Sequence, residues 1–196
     1  MNRLTIALAA VGICLLLAAP AVSEESSEEN QFARSGPYLA VGVVGANLTR
    51  IDELGSGVDA EPAAGFTVLG GYRINPGVAF ELQFEMLPSV VTGLGKRGEL
   101  SMITVTGNMK TFILTGRFQP YALIGLGGMR REFDEKIGQS LDGRESSFAF
   151  RFGVGLDFYI TEKIFTSLGA DYLLPTGDSL EDFDYVSYGG RIGYRF

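Results

Sequence analysis

The stretch 185–196 constrains this chain more than any other. Tyr185-Val186-Ser187-Tyr188-Gly189-Gly190-Arg191-Ile192-Gly193-Tyr194-Arg195-Phe196 alternates residue by residue. Val186, Tyr188, Gly190, Ile192, Tyr194 and Phe196 fall in one row; Ser187, Gly189, Arg191, Gly193 and Arg195 fall in the other. Side chains of a strand point alternately to its two faces, so one face is apolar and the other polar or small. In a soluble sheet a strand finishing on a bare phenylalanine would fray and leave an open edge. A barrel closed within a bilayer needs such a strand, because its last strand must pair with its first.

Seven further segments carry the same period of two. They run over 38–48, 64–74, 78–87, 100–112, 120–130, 148–160 and 164–174. The clearest is 148–160, where Phe148, Phe150, Phe152, Val154, Leu156, Phe158 and Ile160 oppose Ala149, Arg151, Gly153, Gly155, Asp157 and Tyr159. In 78–87, Val78, Phe80, Leu82, Phe84 and Met86 oppose Ala79, Glu81, Gln83 and Glu85. The segment 100–112 reads best with Ile103, Val105 and Met109 on the apolar side and Thr104, Thr106, Asn108 and Lys110 opposite.

The connections alternate in length. Asn75-Pro76-Gly77, the stretch around Thr115-Gly116-Arg117 and Thr161-Glu162-Lys163 are short; 49–63, 88–99, 131–146 and 175–184 are long. Short turns on one rim and long loops on the other fit an outer-membrane barrel, with each strand long enough to cross a bilayer when tilted. The expected fold is all-β: an eight-stranded antiparallel up-and-down transmembrane β-barrel over 37–196.

Periodicity does not say which row is inside, since a lipocalin-like barrel would bury the apolar row. Two features favour apolar outside. The opposite rows are rich in glycine (Gly71, Gly125, Gly127, Gly153, Gly155, Gly169, Gly189, Gly193), which suits a crowded lumen. Their charges have both signs, so Arg73, Lys110, Arg151 and Arg191 are expected to pair across the lumen with Glu81, Glu85, Asp157 and Asp171. Arg195 lies in the same class of row. Aromatics near the strand ends form two expected girdles, one of Tyr72, Phe112, Phe118, Phe158, Tyr194 and Phe196, the other of Phe66, Phe84, Phe148, Tyr172 and Tyr188.

With these features the chain resembles the small outer-membrane β-barrel proteins of the OmpA transmembrane-domain type. The alternating strands, Pro120-Tyr121 opening a Gly-x-Gly strand and the terminal Tyr194-Arg195-Phe196 carry the resemblance over about 37–196. It implies a porin-like barrel of the Gram-negative cell envelope. It also implies a barrel-assembly signal, read by the assembly machinery, at Tyr188, Ile192, Tyr194 and Phe196; the same residues serve equally as plain lipid-facing positions of a last strand. OmpA carries a further peptidoglycan-binding domain, and that activity is not expected to carry over to this chain.

The N-terminus reads as an export signal. Asn2 and Arg3 precede the apolar run Leu4–Ala19, and Ala19-Pro20-Ala21 and Ala21-Val22-Ser23 are small-x-small cleavage sites. Residues 1–23 are expected to be cleaved rather than kept as an anchor. The single cysteine, Cys14, goes with them. Residues 24–36, acidic and serine-rich, are expected to be a disordered leader. The mature chain is then one unit more negative than the full sequence's −7. That charge opposes nucleic-acid binding.

Catalysis has little to work with. Histidine is absent from the sequence, which removes Ser-His-Asp and His-carboxylate sites. Glu81 and Glu85 share a strand face, but a lumenal ion-pair network explains them more simply. Gly125-Leu126-Gly127-Gly128 and Gly153-Val154-Gly155 open no helix, so a phosphate loop is a poor reading. The acidic stretch 178–184 offers oxygen ligands for Ca²⁺ or Mg²⁺, but its spacing matches no EF-hand loop. A solvated loop is the simpler reading, and the mixed-charge loop 130–136 is either a partner site or a soluble rim.

No catalytic, cofactor or metal residues are therefore assigned, and no enzyme activity is expected. The expected role is structural or surface-interacting, with the lumen largely filled by side chains, because eight strands enclose an interior that side chains fill. The glycines leave room for a narrow water-filled path, so a pore for small solutes is the first alternative. A soluble periplasmic ligand-binding barrel is the second. Expected partners are outer-membrane lipid and lipopolysaccharide, the barrel-assembly machinery and an extracellular ligand at the long loops, with the protein monomeric.

Overall fold

The computed structural model describes residues 29–48, 58–60, 63–93, 96–134, 145–176 and 184–196. Nine strands follow a short 3-10 turn at Glu29–Phe32: β1 (Gly36–Leu48), β2 (Val58–Ala60), β3 (Ala63–Asn75), β4 (Val78–Gly93), β5 (Lys96–Phe112), β6 (Phe118–Asp134), β7 (Glu145–Tyr159), β8 (Ile164–Thr176) and β9 (Tyr185–Arg195). β1 and β3 to β9 pair in sequence order, every pair antiparallel. β9 then pairs with β1, from Tyr38↔Arg195 to Leu48↔Tyr185. The result is a closed eight-stranded barrel, with β2 a short addition on the upper end of β4.

The stagger of the ladder follows from its register. From Leu48 the partners run through Tyr185, Leu173, Arg151, Gly125, Asn108, Glu81 and Gly71, and return to β1 at Tyr38, ten residues away. With a rise of about 3.3 Å and a strand spacing of about 4.8 Å, this shear tilts the strands by roughly 40°. From Tyr185 to Tyr38 the circuit is also a row of inward-facing residues, so neighbours in the lumen are set by the ladder.

The wall has the sense that the glycine and charge patterns predict. Leu39, Val41, Val43, Tyr72, Phe80, Leu82, Leu126, Val154 and Leu168 lie on the exposed outer surface, while Arg73, Glu85, Gln83, Lys110, Arg151 and Asp157 are buried within. A soluble barrel would reverse these rows. A continuous apolar outer belt of this kind is stable only against hydrocarbon. Among the described residues no helix is long and apolar enough to cross a membrane.

Three expectations need correction. The stretch 24–36 was expected to be disordered, yet over its described part Glu29–Phe32 forms the 3-10 turn, and Phe32 and Ala33 are buried at the short-turn rim. Hydrogen bonds and aromatic contacts to the barrel fix it, which composition cannot reveal. Residues 24–28 lie outside the described residues. The stretch 88–99 was expected to be a long loop, but β4 and β5 stay paired up to Gly93↔Lys96. Here the backbone ladder continues past the end of the apolar pattern. Phe112 was placed in the lower outer girdle, but it is 8% exposed and faces inward, its ring against Tyr121 and under the Arg73 guanidinium.

Candidate functional site: the barrel interior

The interior is layered. Toward the short-turn rim Tyr38, Phe112, Tyr121, Leu123, Tyr159 and Phe165 form one buried apolar cluster with Phe32. Toward the long-loop rim Val44, Leu87, Met102, Met129, Leu173 and Tyr185 form another. Between and among them sit the ions.

Two ion clusters occupy the interior. In the lower one Lys110 Nζ lies 2.7 Å from Asp157 Oδ2 and 3.3 Å from Glu81 Oε1. The Tyr38 hydroxyl donates to Glu81 Oε1 at 2.7 Å, and the ammonium stands 3.9 Å from the Tyr121 ring centroid. In the upper one Arg151 Nη1 donates to Asp171 Oδ2 at 2.8 Å and to Glu85 Oε2 at 3.1 Å. Arg191 Nη2 reaches the same Asp171 oxygen at 3.3 Å, and the Tyr185 hydroxyl donates to Glu85 Oε1 at 3.2 Å. With its amide oriented as the surrounding donors require, Gln83 accepts from Arg151 at 2.9 Å and from Arg191 at 3.1 Å. Charges this buried need opposite partners, and each cluster supplies them from several strands, while Arg151 Nε and Nη2, Arg191 Nε, Asp157 Oδ1 and Asp171 Oδ1 find no hydrogen-bond partner among the described residues.

Seven of the eight residues singled out from the sequence meet in these clusters. Arg73 does not join them. Its Nη1 donates to Gln119 Oε1 at 2.7 Å, its Nε and Nη2 donate to the carbonyls of Asn75 and Pro76, and its plane lies 3.9 Å from the Phe112 centroid. Position explains this: Arg73 lies near the end of β3, next to the turn into β4 and below both clusters, where the turn carbonyls are close acceptors. Sequence reasoning missed Tyr38, Tyr185, Gln83 and Gln119, which complete the polar contacts. Their inward parity in the alternating rows was the available signal.

Several interior glycines are covered by side chains of the neighbouring strand. A Cβ on Gly71 would fall 2.4 Å from the Tyr38 ring, on Gly125 1.9 Å from Asn108 Oδ1, on Gly153 2.1 Å from Asp171 Oδ1, and on Gly193 2.2 Å from the Phe165 ring. Each glycine is thus the seat of a large side chain one strand away on the same ladder rung. At these four positions the space that a glycine opens is taken by a neighbouring side chain.

Of the four residues read as an assembly signal, Tyr188, Ile192 and Tyr194 share the outer face of β9, and Phe196 directly follows the strand. Tyr188, Ile192, Tyr194 and Phe196 are 45%, 54%, 42% and 66% exposed. Tyr194 and Phe196 pack edge to face at 5.2 Å. Among the described residues no group of His, Cys, Asp and Glu could hold a metal ion. Most of the acidic stretch 178–184 lies outside the described residues; Asp184, its last member, accepts from the Tyr172 hydroxyl at 2.8 Å.

The model of the outer membrane protein beta-barrel domain matches residues 7–196. Neisserial surface protein A superposes with a TM-score of 0.63 at 16% identity, covering 83% of this chain and 98% of that one. Ail, the attachment invasion locus protein of Yersinia pestis, in complex with the heparin analogue sucrose octasulfate, superposes at 0.58 with 18% identity over 83% and 99%. OprG from Pseudomonas aeruginosa superposes at 0.57 with 15% identity over 85% and 98%. These three share the fold with this chain. No curated protein matched it.

Proposed function

Because the chain belongs to the outer membrane protein beta-barrel domain family, we propose that it is an integral protein of the Gram-negative outer membrane with a structural or surface-interaction role and no catalysis. Residues 1–23 serve as its cleaved export signal. The short turns and both ends of the barrel then face the periplasm, and the long loops face the outside.

One observation carries this reading: the interior is occupied across its section by interlocked side chains. Arg151, 0% exposed, binds carboxylates from β4 and β8 at once. A solute would have to break both contacts to pass. Conductance of the refolded protein in a planar bilayer tests the proposal. Silent traces are expected, and repeated open events in the wild-type protein would overturn it in favour of a narrow pore.

The outer loops carry the interaction side of the role. Asp52, Glu53, Asp59, Glu61, Asp178, Glu181, Asp182 and Asp184 give two of the four long connections many acids against a single basic residue, Arg50. Ail has been seen with a sulfated sugar, but an acidic rim repels such a polyanion. The charge favours a partner with a basic surface. Outer-membrane lipid surrounds the belt, lipopolysaccharide lies around the outer rim, and the assembly machinery reads the outer face of β9; the protein acts as a monomer.

A further inference from the structure

The periplasmic mouth has the chemistry of a peptide site. Arg195, near the end of β9, donates from Nη1 to the carbonyl of Phe32 at 2.7 Å and from Nη2 to the carbonyl of Gln31 at 2.9 Å. Gln119 Nε2 reaches the Phe32 carbonyl as well, at 3.3 Å, while holding the Thr115 and Gly116 carbonyls of its own turn. The Phe32 side chain, 6% exposed, packs on the Tyr159 ring at 6.0 Å, and the Arg117 guanidinium stands 5.0 Å from its centroid. Ala33 is 1% exposed, and Arg34 outside it reaches Glu162 at 3.4 Å.

The contacts divide as peptide recognition does. Main-chain carbonyls are read by fixed side-chain donors, which gives attachment without sequence preference, and one aromatic pocket gives selectivity. The segment itself joins no ladder: β1 begins only at Gly36. Gly36 has φ of +152°, a conformation that lets the chain turn from the mouth into the wall. Ordering such a segment costs conformational entropy that only these few contacts offset. It is therefore held as a ligand is held, across a glycine hinge, rather than as part of the wall.

We infer that the periplasmic mouth is a binding site for an extended peptide bearing one aromatic residue, and that the chain's own Gln31–Arg34 is its occupant, a displaceable stopper beneath the lower ion cluster. The inference takes only the rim's orientation from the proposed function, and its test reads seating of the segment rather than conductance.

From residue 24 onward the chain has no cysteine, so single-cysteine probes are clean. Ala33→Cys and Arg34→Cys are refolded separately into phosphatidylcholine vesicles, and folding is checked by heat-modifiable gel mobility. Their modification by a charged methanethiosulfonate is then timed. Ala33→Cys is expected to react at least about tenfold more slowly than Arg34→Cys, the protection that a closed local state confers. Excess synthetic peptide spanning 29–36 should speed the Ala33→Cys reaction severalfold, and the same peptide with Phe32→Ala should do so far less. Equal rates at the two positions would show the segment unseated. Slow labelling that no peptide changes would show a fixed part of the wall. Either result overturns the inference, and neither requires a variant that weakens the barrel.

Discussion

Tyr121 lies across the glycine that follows it on the ladder: a Cβ built on Gly155 would stand 2.3 Å from the Tyr121 hydroxyl oxygen. Gly169, one strand further, is also covered, at 2.5 Å from the same atom. One tyrosine therefore closes the space over two strands of wall. Its hydroxyl meets Ser167 Oγ at 3.3 Å, and its ring faces Lys110.

Gly155→Ala should force the ring out of place and lower stability by about 1–3 kcal/mol, the usual cost of overpacking. Tyr121→Ala combined with Gly155→Ala should show strong coupling in a double-mutant cycle, because the collision needs both side chains. Urea midpoints of the refolded protein in vesicles give the measurement. Additive effects would refute the contact.

Arg151→Met should leave the Glu85 and Asp171 carboxylates buried with their main partner gone, a loss of about 3 kcal/mol or more. Adding Glu85→Gln and Asp171→Asn should recover much of it, since the cost lies in uncompensated charge rather than lost volume. An unfolding midpoint that Arg151→Met leaves unchanged would show that the pairs do not hold the barrel.

Phe196→Ser separates assembly from stability. The Phe196 side chain is 66% exposed and its ring packs on Tyr194, so refolded stability should move by about 0.5 kcal/mol, as at ordinary surface sites. The amount of folded barrel in cells should fall severalfold if the assembly machinery reads this face. Cellular amounts that merely track the refolded midpoint would reduce the four residues to lipid contacts.

The acidic outer loops predict no retention of the protein in detergent on a sulfated-polysaccharide column at physiological salt. Retention that salt abolishes would place a basic patch where the sequence shows an excess of acids.

The wall was legible from the sequence because a strand's period of two is strict. Phe148 to Ile160 and Val78 to Met86 announced their faces, and the two-sign charges of the opposite rows announced the interior. What period could not convey was contact between rows. Nothing local in Gly125 names Asn108 as its occupant, since the pairing arises from the stagger of the closed ladder. Arg73 has the parity of the ion network, yet its height at the turn gives it carbonyls instead of carboxylates. The segment at Phe32 looks like leader in composition, and only Arg195 and Gln119, far away in sequence, hold it in place. The hairpin to Gly93 and Lys96 was missed for a related reason: backbone pairing continued where the apolar alternation stopped.

The pairing of Tyr38 with Arg195 fixes the order in which this protein can come into being. The ring's final rung joins residues from opposite ends of the barrel sequence, so no partial length of the chain encloses the lumen. Every earlier state leaves two unsatisfied strand edges and a bare apolar face, and the entropy lost in bringing such distant segments together must precede the gain. Closure is therefore a single late step, and the unclosed chain, rather than the finished barrel, is the state open to misassociation.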